Sequence, residues 1–261
     1  MSGQSLRRRF LSLALLVPVV AGAACNLNIS TDVEAKDQWT RSYPISGSGA
    51  LSIVTGNGKV VIETADIKTI EVWAERIVKA GTEEAANEQL KTIDMHEEVS
   101  ADRVSIDGST KGLNIRTSRR INYVVKVPKT IAVTLESSNG DILVTGLTGP
   151  FRASASNGRI IGMDLGGSAH ASTSNGVVEL TMASVTGDVT AETTNGQVTV
   201  TVPRDTNATL SARVTNGEIS HDNLDLQVTE TSRRRLDGRL GTGGPSIRVE
   251  TTNGAVRISG R

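Results

Sequence analysis

The chain has 261 residues, 28 basic against 28 acidic, with only six aromatic residues and one cysteine. A neutral balance with almost no aromatic surface excludes nucleic-acid binding, which needs basic patches and stacking platforms. One cysteine excludes an intramolecular disulfide, so ladders and packing alone must hold the fold.

The N-terminus has the three-part layout of a secretory signal. Arg7, Arg8 and Arg9 precede the apolar run from Phe10 to Ala21, and the small-residue stretch Ala21-Gly22-Ala23-Ala24-Cys25 follows. About 12 apolar residues are too few to span a bilayer as a helix. Residues 1–24 are therefore expected to be a signal peptide. Cys25 falls where a bacterial lipoprotein is cleaved and lipidated, and the stretch resembles a lipobox with Gly22 in place of a larger aliphatic. The alternative is ordinary cleavage and secretion. Loss of the first 24 residues removes three Arg and no acid, leaving a net charge of about −3.

Residues 25–38 are polar and read as a tether. The main domain, 39–261, opens with strand patterns at Leu51–Val54, Val60–Ile62 and Ile70–Val78. Residues 82–95 change period: Ala86, Leu90 and Ile93 fall at helical spacing, Thr82 can cap, and two acids occupy the first turn. One helix is expected there, covering part of a sheet. Strand patterning resumes at Val104–Ile106 and at Tyr123–Val127, ending at Pro128.

Seven Asn-Gly pairs then organise the chain: Asn57-Gly58, Asn139-Gly140, Asn157-Gly158, Asn175-Gly176, Asn195-Gly196, Asn216-Gly217 and Asn253-Gly254. Six residues before each Asn stand Leu51, Val133, Phe151, Ala169, Val189, Leu210 and Ile247. Four before stand Ile53, Leu135, Ala153, Ala171, Ala191, Ala212 and Val249. Three after stand Val60, Ile142, Ile160, Val178, Val198, Ile219 and Val256. Steps of two place these side chains on one face of a strand, so each unit reads as strand, turn, strand with a buried side. Asn and Gly both tolerate positive φ, which marks the pairs as structural turns.

From Asn139 the pairs recur every 18 to 21 residues, then after 37. That period belongs to stacked architectures. The most regular repeats cover 131–261, and the long gap reads as one repeat with an inserted loop at 229–244. The expected fold is all-β, a β-solenoid of roughly 18–21-residue coils with one short helix. An antiparallel meander or sandwich of Asn-Gly hairpins is the alternative. Near-identical residues at equivalent positions favour the solenoid, because coil-on-coil stacking selects for them.

Trp39 and Tyr43 at the entry, the strand ending in Val127-Pro128, the serial SSNGDI, SNGRI, SNGVV and TTNGQV segments, and the closing run from Gly238 to Gly254 are together similar to a bacterial family provisionally called adhesins, domain of unknown function 4097. The likeness spans Trp39 to Arg261. It implies a β-strand-repeat fold and an envelope or extracellular location, and it carries no catalytic residues to transfer.

Residue by residue, catalysis finds no support. His96, His170 and His221 lie far apart and lack zinc-type spacing. No G-x-S-x-G elbow occurs, and Ser156 and Ser174 are repeat positions. Asp141, Asp164, Asp188 and Glu218 hold different repeat positions, which argues against a paired-carboxylate site. No metal or cofactor is expected. Arg233, Arg234, Arg235 and Arg239, with Arg119 and Arg120, could meet anionic glycan, phosphate or lipid headgroups. Thr193-Thr194, Thr199, Thr201 and Thr251-Thr252 could form a hydroxyl face, although β-propensity explains them as well. The reading is a non-catalytic, exported envelope protein with an adhesin-like or structural role. Its partner would be a glycan, an anionic lipid or a protein of the envelope, and it would sit at the membrane if Cys25 carries lipid. The alternatives are a polysaccharide-binding or carbohydrate-active β-helix protein and an envelope-sensing regulatory partner.

Overall fold

The computed structural model describes residues 32–46, 48–109 and 117–261. Residues 1–31, including Cys25, lie outside the described residues. The N-terminal part runs through β1 (Val33–Pro44), β2 (Ala50–Asn57), β3 (Val60–Ala65), β4 (Thr69–Ala80), α1 (Glu83–Lys91), β5 (His96–Val99), β6 (Arg103–Gly108) and β7 (Ser118–Pro128). Strand pairs follow: β8 (Ala132–Asn139) with β9 (Ile142–Thr145), β10 (Phe151–Asn157) with β11 (Ile160–Leu165), β12 (Ala169–Asn175) with β13 (Val178–Met182), and β14 (Val189–Asn195) with β15 (Val198–Val202). The chain closes with β16 (Ala208–Asp222), β17 (Leu226–Ser232), β18 (Arg235–Leu240) and β19 (Ser246–Gly260).

Strands before the Asn-Gly pairs, joined at one end by β6, stack in parallel on one face, in the order β6, β2, β8, β10, β12, β14, β19 and β16. Strands after the pairs, joined at one end by β7, stack on a second face, in the order β7, β3, β9, β11, β13, β15, β19 and β16. Each Asn-Gly pair is thus a corner between two faces. Parallel registry of equivalent residues makes the molecule a β-solenoid and excludes the hairpin meander. The apolar positions of the repeat fill a thin interior, where Leu51, Ile53, Leu135, Ala153, Ala171, Val178 and Val249 are all buried.

Spatial order departs from chain order at the C-terminal end. The coil of Asn253 inserts between those of Asn195 and Asn216. Side-chain polarity accounts for this: β19 points Ile247, Val249, Val256 and Ile258 inward, all fully buried, whereas β16 carries His221 at the position of Ile258 and leaves Ile219 only half-buried. An imidazole sandwiched between aliphatic layers would lose hydration without a partner, so the β16 coil takes the end of the stack.

The segment expected as an inserted loop at 229–244 is instead largely strand. β17 and β18 form a hairpin that pairs antiparallel with β16 and extends the first face. Leu236 and Leu240 alternate with polar residues and are buried at 2% and 1% exposure, a period-2 pattern masked in the sequence by the neighbouring arginines. The expected tether also ends earlier than residue 38, because β1 begins at Val33. Its charged residues find partners on β4: Glu34 with Lys79 at 2.8 Å and Asp37 with Arg76.

At the N-terminal end α1 lies against β1 and β4. Thr82 caps it by accepting the Ala85 N–H at 3.2 Å, and Ala86 and Leu90 face the core. The helix stops at Lys91, short of 95, and Ile93 and Met95 leave it to bury separately. The two faces are tied together here: Arg41 and Tyr43 of β1 both donate to the Glu97 carboxylate of β5, and the Arg41 guanidinium lies 4.8 Å over the Trp39 ring. Burial, then the Glu97 hydrogen bond, pushes the Tyr43 phenol well above its ordinary range.

Candidate functional site

The corner carries a continuous amide ladder. Each Asn donates from Nδ2 to the Oδ1 of its neighbour: Asn139 to Asn57, Asn157 to Asn139, Asn175 to Asn157, Asn195 to Asn175, Asn253 to Asn195 and Asn216 to Asn253, all between 2.8 and 3.0 Å. Asn57 closes the series on the Arg119 carbonyl oxygen. The following glycines have φ between 123° and 156°, while none of the asparagines is in the positive-φ region. At Gly176 a Cβ would fall on the carbonyl oxygen of Gly158 in the next coil, so glycine is required for close approach as well as for φ.

Hydroxyls flank this ladder on both sides of the strand. Two residues before Asn, Thr173, Thr193 and Thr251 point inward and donate to Gly158, Gly176 and Gly196 carbonyls at 3.1 to 3.3 Å. One residue before Asn, Ser138, Ser156, Ser174, Thr194, Thr252 and Thr215 form an exposed column on the first face. The threonines considered as one hydroxyl face therefore separate: Thr194 and Thr252 share this column, Thr193 and Thr251 are interior, and Thr199 and Thr201 lie on the second face.

Two shallow grooves mark the first face. One of about 480 Å³ is floored by Thr194, Thr252 and Thr215 and walled by Glu192, Glu250 and Arg213. An ion-pair network runs through it: Glu192 to Arg248 at 3.7 Å, Arg248 to Glu250 at 2.9 Å, Glu250 to Arg213 at 3.8 Å, Arg213 to Asp237 at 3.8 Å, Asp237 to Arg235 at 2.6 Å, and Arg235 to Glu230 at 3.0 Å. Burial works against ionised Asp237, but hydrogen bonds from Ser211 and Arg235 prevail and hold its carboxyl below the usual range. The second groove, about 430 Å³, is lined by Thr134, Pro150, Arg152, His170, Asp188 and Thr190 among others. Register puts Thr134, Arg152, His170 and Thr190 side by side on successive strands. Asp188 accepts the Ser246 N–H at 2.8 Å, while the Arg152 guanidinium has neither a hydrogen bond nor an ion pair among the described residues.

The carboxylates weighed as catalytic pairs are dispersed. Asp141 accepts from Arg159 at 2.7 Å, and that hydrogen bond holds its carboxyl below the usual range. Asp164 pairs with Arg261 at 3.0 Å, and Glu218 is exposed on the end coil. His96, His170 and His221 sit on β5, β12 and β16. Among the described residues no three of His, Cys, Asp and Glu come close enough to hold a metal ion. No described helix is long and apolar enough to cross a membrane.

The arginines also part company. Arg119 donates to Gln89 and to Thr92 at 3.3 Å, securing α1. Arg120 is exposed on β7. Arg233 and Arg234 form the tip of the β17–β18 hairpin, Arg235 enters the network, and Arg239 donates to Gln227 at 2.6 Å. Sequence reasoning missed both grooves: the first joins strands 58 positions apart through the exchanged coil order, and the second is set by the register of successive coils.

Among solved structures, a provisionally named cell adhesion protein of Clostridium sporogenes is 15% identical, with a TM-score of 0.48 over 87% of this chain and 100% of its own. A provisionally named adhesin of Bacteroides fragilis is 9% identical, with a TM-score of 0.34 over 87% of this chain and 98% of its own. A provisionally named lipid binding protein of Parabacteroides distasonis is 12% identical, with a TM-score of 0.27 over 86% of this chain and 95% of its own. No match is found among functionally curated proteins. The profile of the Toastrack family, domain of unknown function 4097, matches residues 129–259, half of the sequence, and the chain belongs to that family.

Proposed function

We propose that this protein is non-catalytic, exported and held at the cell envelope, and that it presents its first face for adhesive or structural contact. The observation that carries this reading is the ordered face itself. A hydrogen-bonded amide ladder and an exposed hydroxyl column run beside a groove bordered by a seven-residue ion-pair network. Such a surface is rigid and rich in donors and acceptors, which suits recognition. A hydrolase would need a free acid and a free base facing one another across a cleft. Export and anchoring are supported by the layout of residues 1–25.

A glycan and cell-surface binding array on the purified protein tests the reading. Wild-type protein is expected to bind, and Thr194→Lys with Thr252→Lys, which fills the first groove, is expected to abolish binding. Release of reducing ends from any bound glycan would overturn the non-catalytic assignment. Anchoring is tested apart from this: membrane fractionation with incorporation of labelled fatty acid should be lost in Cys25→Ser.

A further inference from the structure

The charges of the first face are not evenly spent. In the groove beside the Asn corner Glu192, Glu250, Arg213 and Arg235 already have partners of opposite sign. The guanidinium groups of Arg152 and Arg234, on the same face, have none among the described residues. Arg152 stands in the second groove beside His170, with the Thr134 and Thr190 hydroxyls on either side. Arg234 lines the first groove from the hairpin tip. An unpaired, hydrated guanidinium in a concave polar surface is well suited to a carboxylate or sulfate, since it offers parallel N–H donors that match two oxygens.

The two cations lie at opposite ends of one diagonal path. From β10 to β18 the path crosses β12, β14, β19 and β16, five steps of about 4.8 Å, or about 24 Å in all. Between the ends lie Ser172, Thr190, Thr252 and the neutralised Glu192–Arg248–Glu250 array.

We propose that the first face binds a linear acidic polysaccharide laid across the coils. Arg152, assisted by His170, takes an acidic group at one end of the bound segment and Arg234 takes another further along. The proposal rests on the binding reading above and adds the ligand class. A polysaccharide fits better than a membrane surface because the middle of the path holds carboxylates: Glu192 and Glu250 can accept sugar hydroxyls, yet would repel a dense plane of lipid phosphates. It fits better than an extended peptide because the path crosses the strands and offers hydroxyls and charges, with no free strand edge along it.

The test is titration calorimetry of the purified protein with polygalacturonate, with uncharged dextran of matched length, and with vesicles containing phosphatidylglycerol. Polygalacturonate is expected to bind in a salt-sensitive manner. Arg152→Glu and Arg234→Glu should each weaken it about tenfold. Arg257→Glu on the second face should leave it unchanged, and thermal unfolding should show all three variants folded. Equal binding of dextran and polygalacturonate, indifferent to both variants, would overturn the acidic-ligand proposal while leaving the surface-binding reading intact. Vesicle binding that depends on Arg152 without polygalacturonate binding would replace the glycan with a lipid surface. Absence of binding both here and on the cell-surface array would overturn both.

Discussion

The side-chain amide of Asn253 donates to Asn195 at 2.8 Å although 58 residues separate them, and Asn216, much closer to Asn195 in sequence, bonds to Asn253 instead. The C-terminal coil is therefore an inner layer of the stack, and the chain reaches the end of the solenoid before it finishes.

This arrangement makes the ladder unequal along its length. Asn175 bonds to two neighbours through its side chain and Asn216 to one. Asn175→Ala with Gly176→Ala breaks two amide bonds and drives a Cβ into Gly158, so it should cost about 3 kcal/mol or more. Asn216→Ala should cost about 1 kcal/mol. Urea unfolding of both variants checks the ranking, and equal midpoints would contradict the ladder as a source of stability.

Position in the stack should also govern tolerance to polarity. Leu180 and His221 occupy equivalent inward positions, one fully buried and one exposed. Leu180→His is expected to destabilise by about 3 kcal/mol or more, since the imidazole is buried without a partner. His221→Val should be neutral or stabilising. Thermal unfolding of the pair decides the matter, and a large loss from His221→Val would show that the end coil is more enclosed than its exposure indicates.

Leu236 distinguishes a structural hairpin from a dispensable insertion. Its side chain is 2% exposed against the interior of β16. Leu236→Ala should cost about 2–4 kcal/mol through cavity formation, whereas a solvated loop position would tolerate the change. Denaturant titration gives the answer directly.

Acid stability should report Asp141. Its folded pKa is held down by the Arg159 hydrogen bond, so ionised Asp141 is favoured in the native state. A depressed carboxylate contributes stability above its unfolded value, about 3.9, and loses it as pH falls through the folded value. Asp141→Asn should therefore be slightly less stable than wild type at neutral pH, with the gap closing below about pH 4. A gap that persists at pH 2 would assign the effect to packing.

The repeat was legible because the corner imposes demands that residue type alone must meet. Only glycine fits at Gly58, Gly140, Gly158, Gly176, Gly196, Gly217 and Gly254, and two-residue alternation around them sets which side chains are buried. Helix α1 was equally plain, with Thr82 as cap and Ala86 and Leu90 on its inner face. The β17–β18 hairpin was not, because Leu236 and Leu240 alternate over too short a span to stand out among arginines. β1 was hidden for a related reason: Glu34 and Asp37 look like tether residues until Lys79 and Arg76 arrive across the ladder.

The sequence by itself determined the solenoid, its corner and its buried columns, since those depend on local backbone conformation and strand periodicity. The tertiary structure decided which coils are neighbours, and with that the ion-pair network of the first groove. Glu192 meets Arg248, and Glu250 meets Arg213, only because the coil of Asn253 lies between those of Asn195 and Asn216. Parallel stacking accepts any order of similar coils, so the choice fell to the small difference in inward polarity between Ile258 and His221, a long-range comparison that no local pattern records.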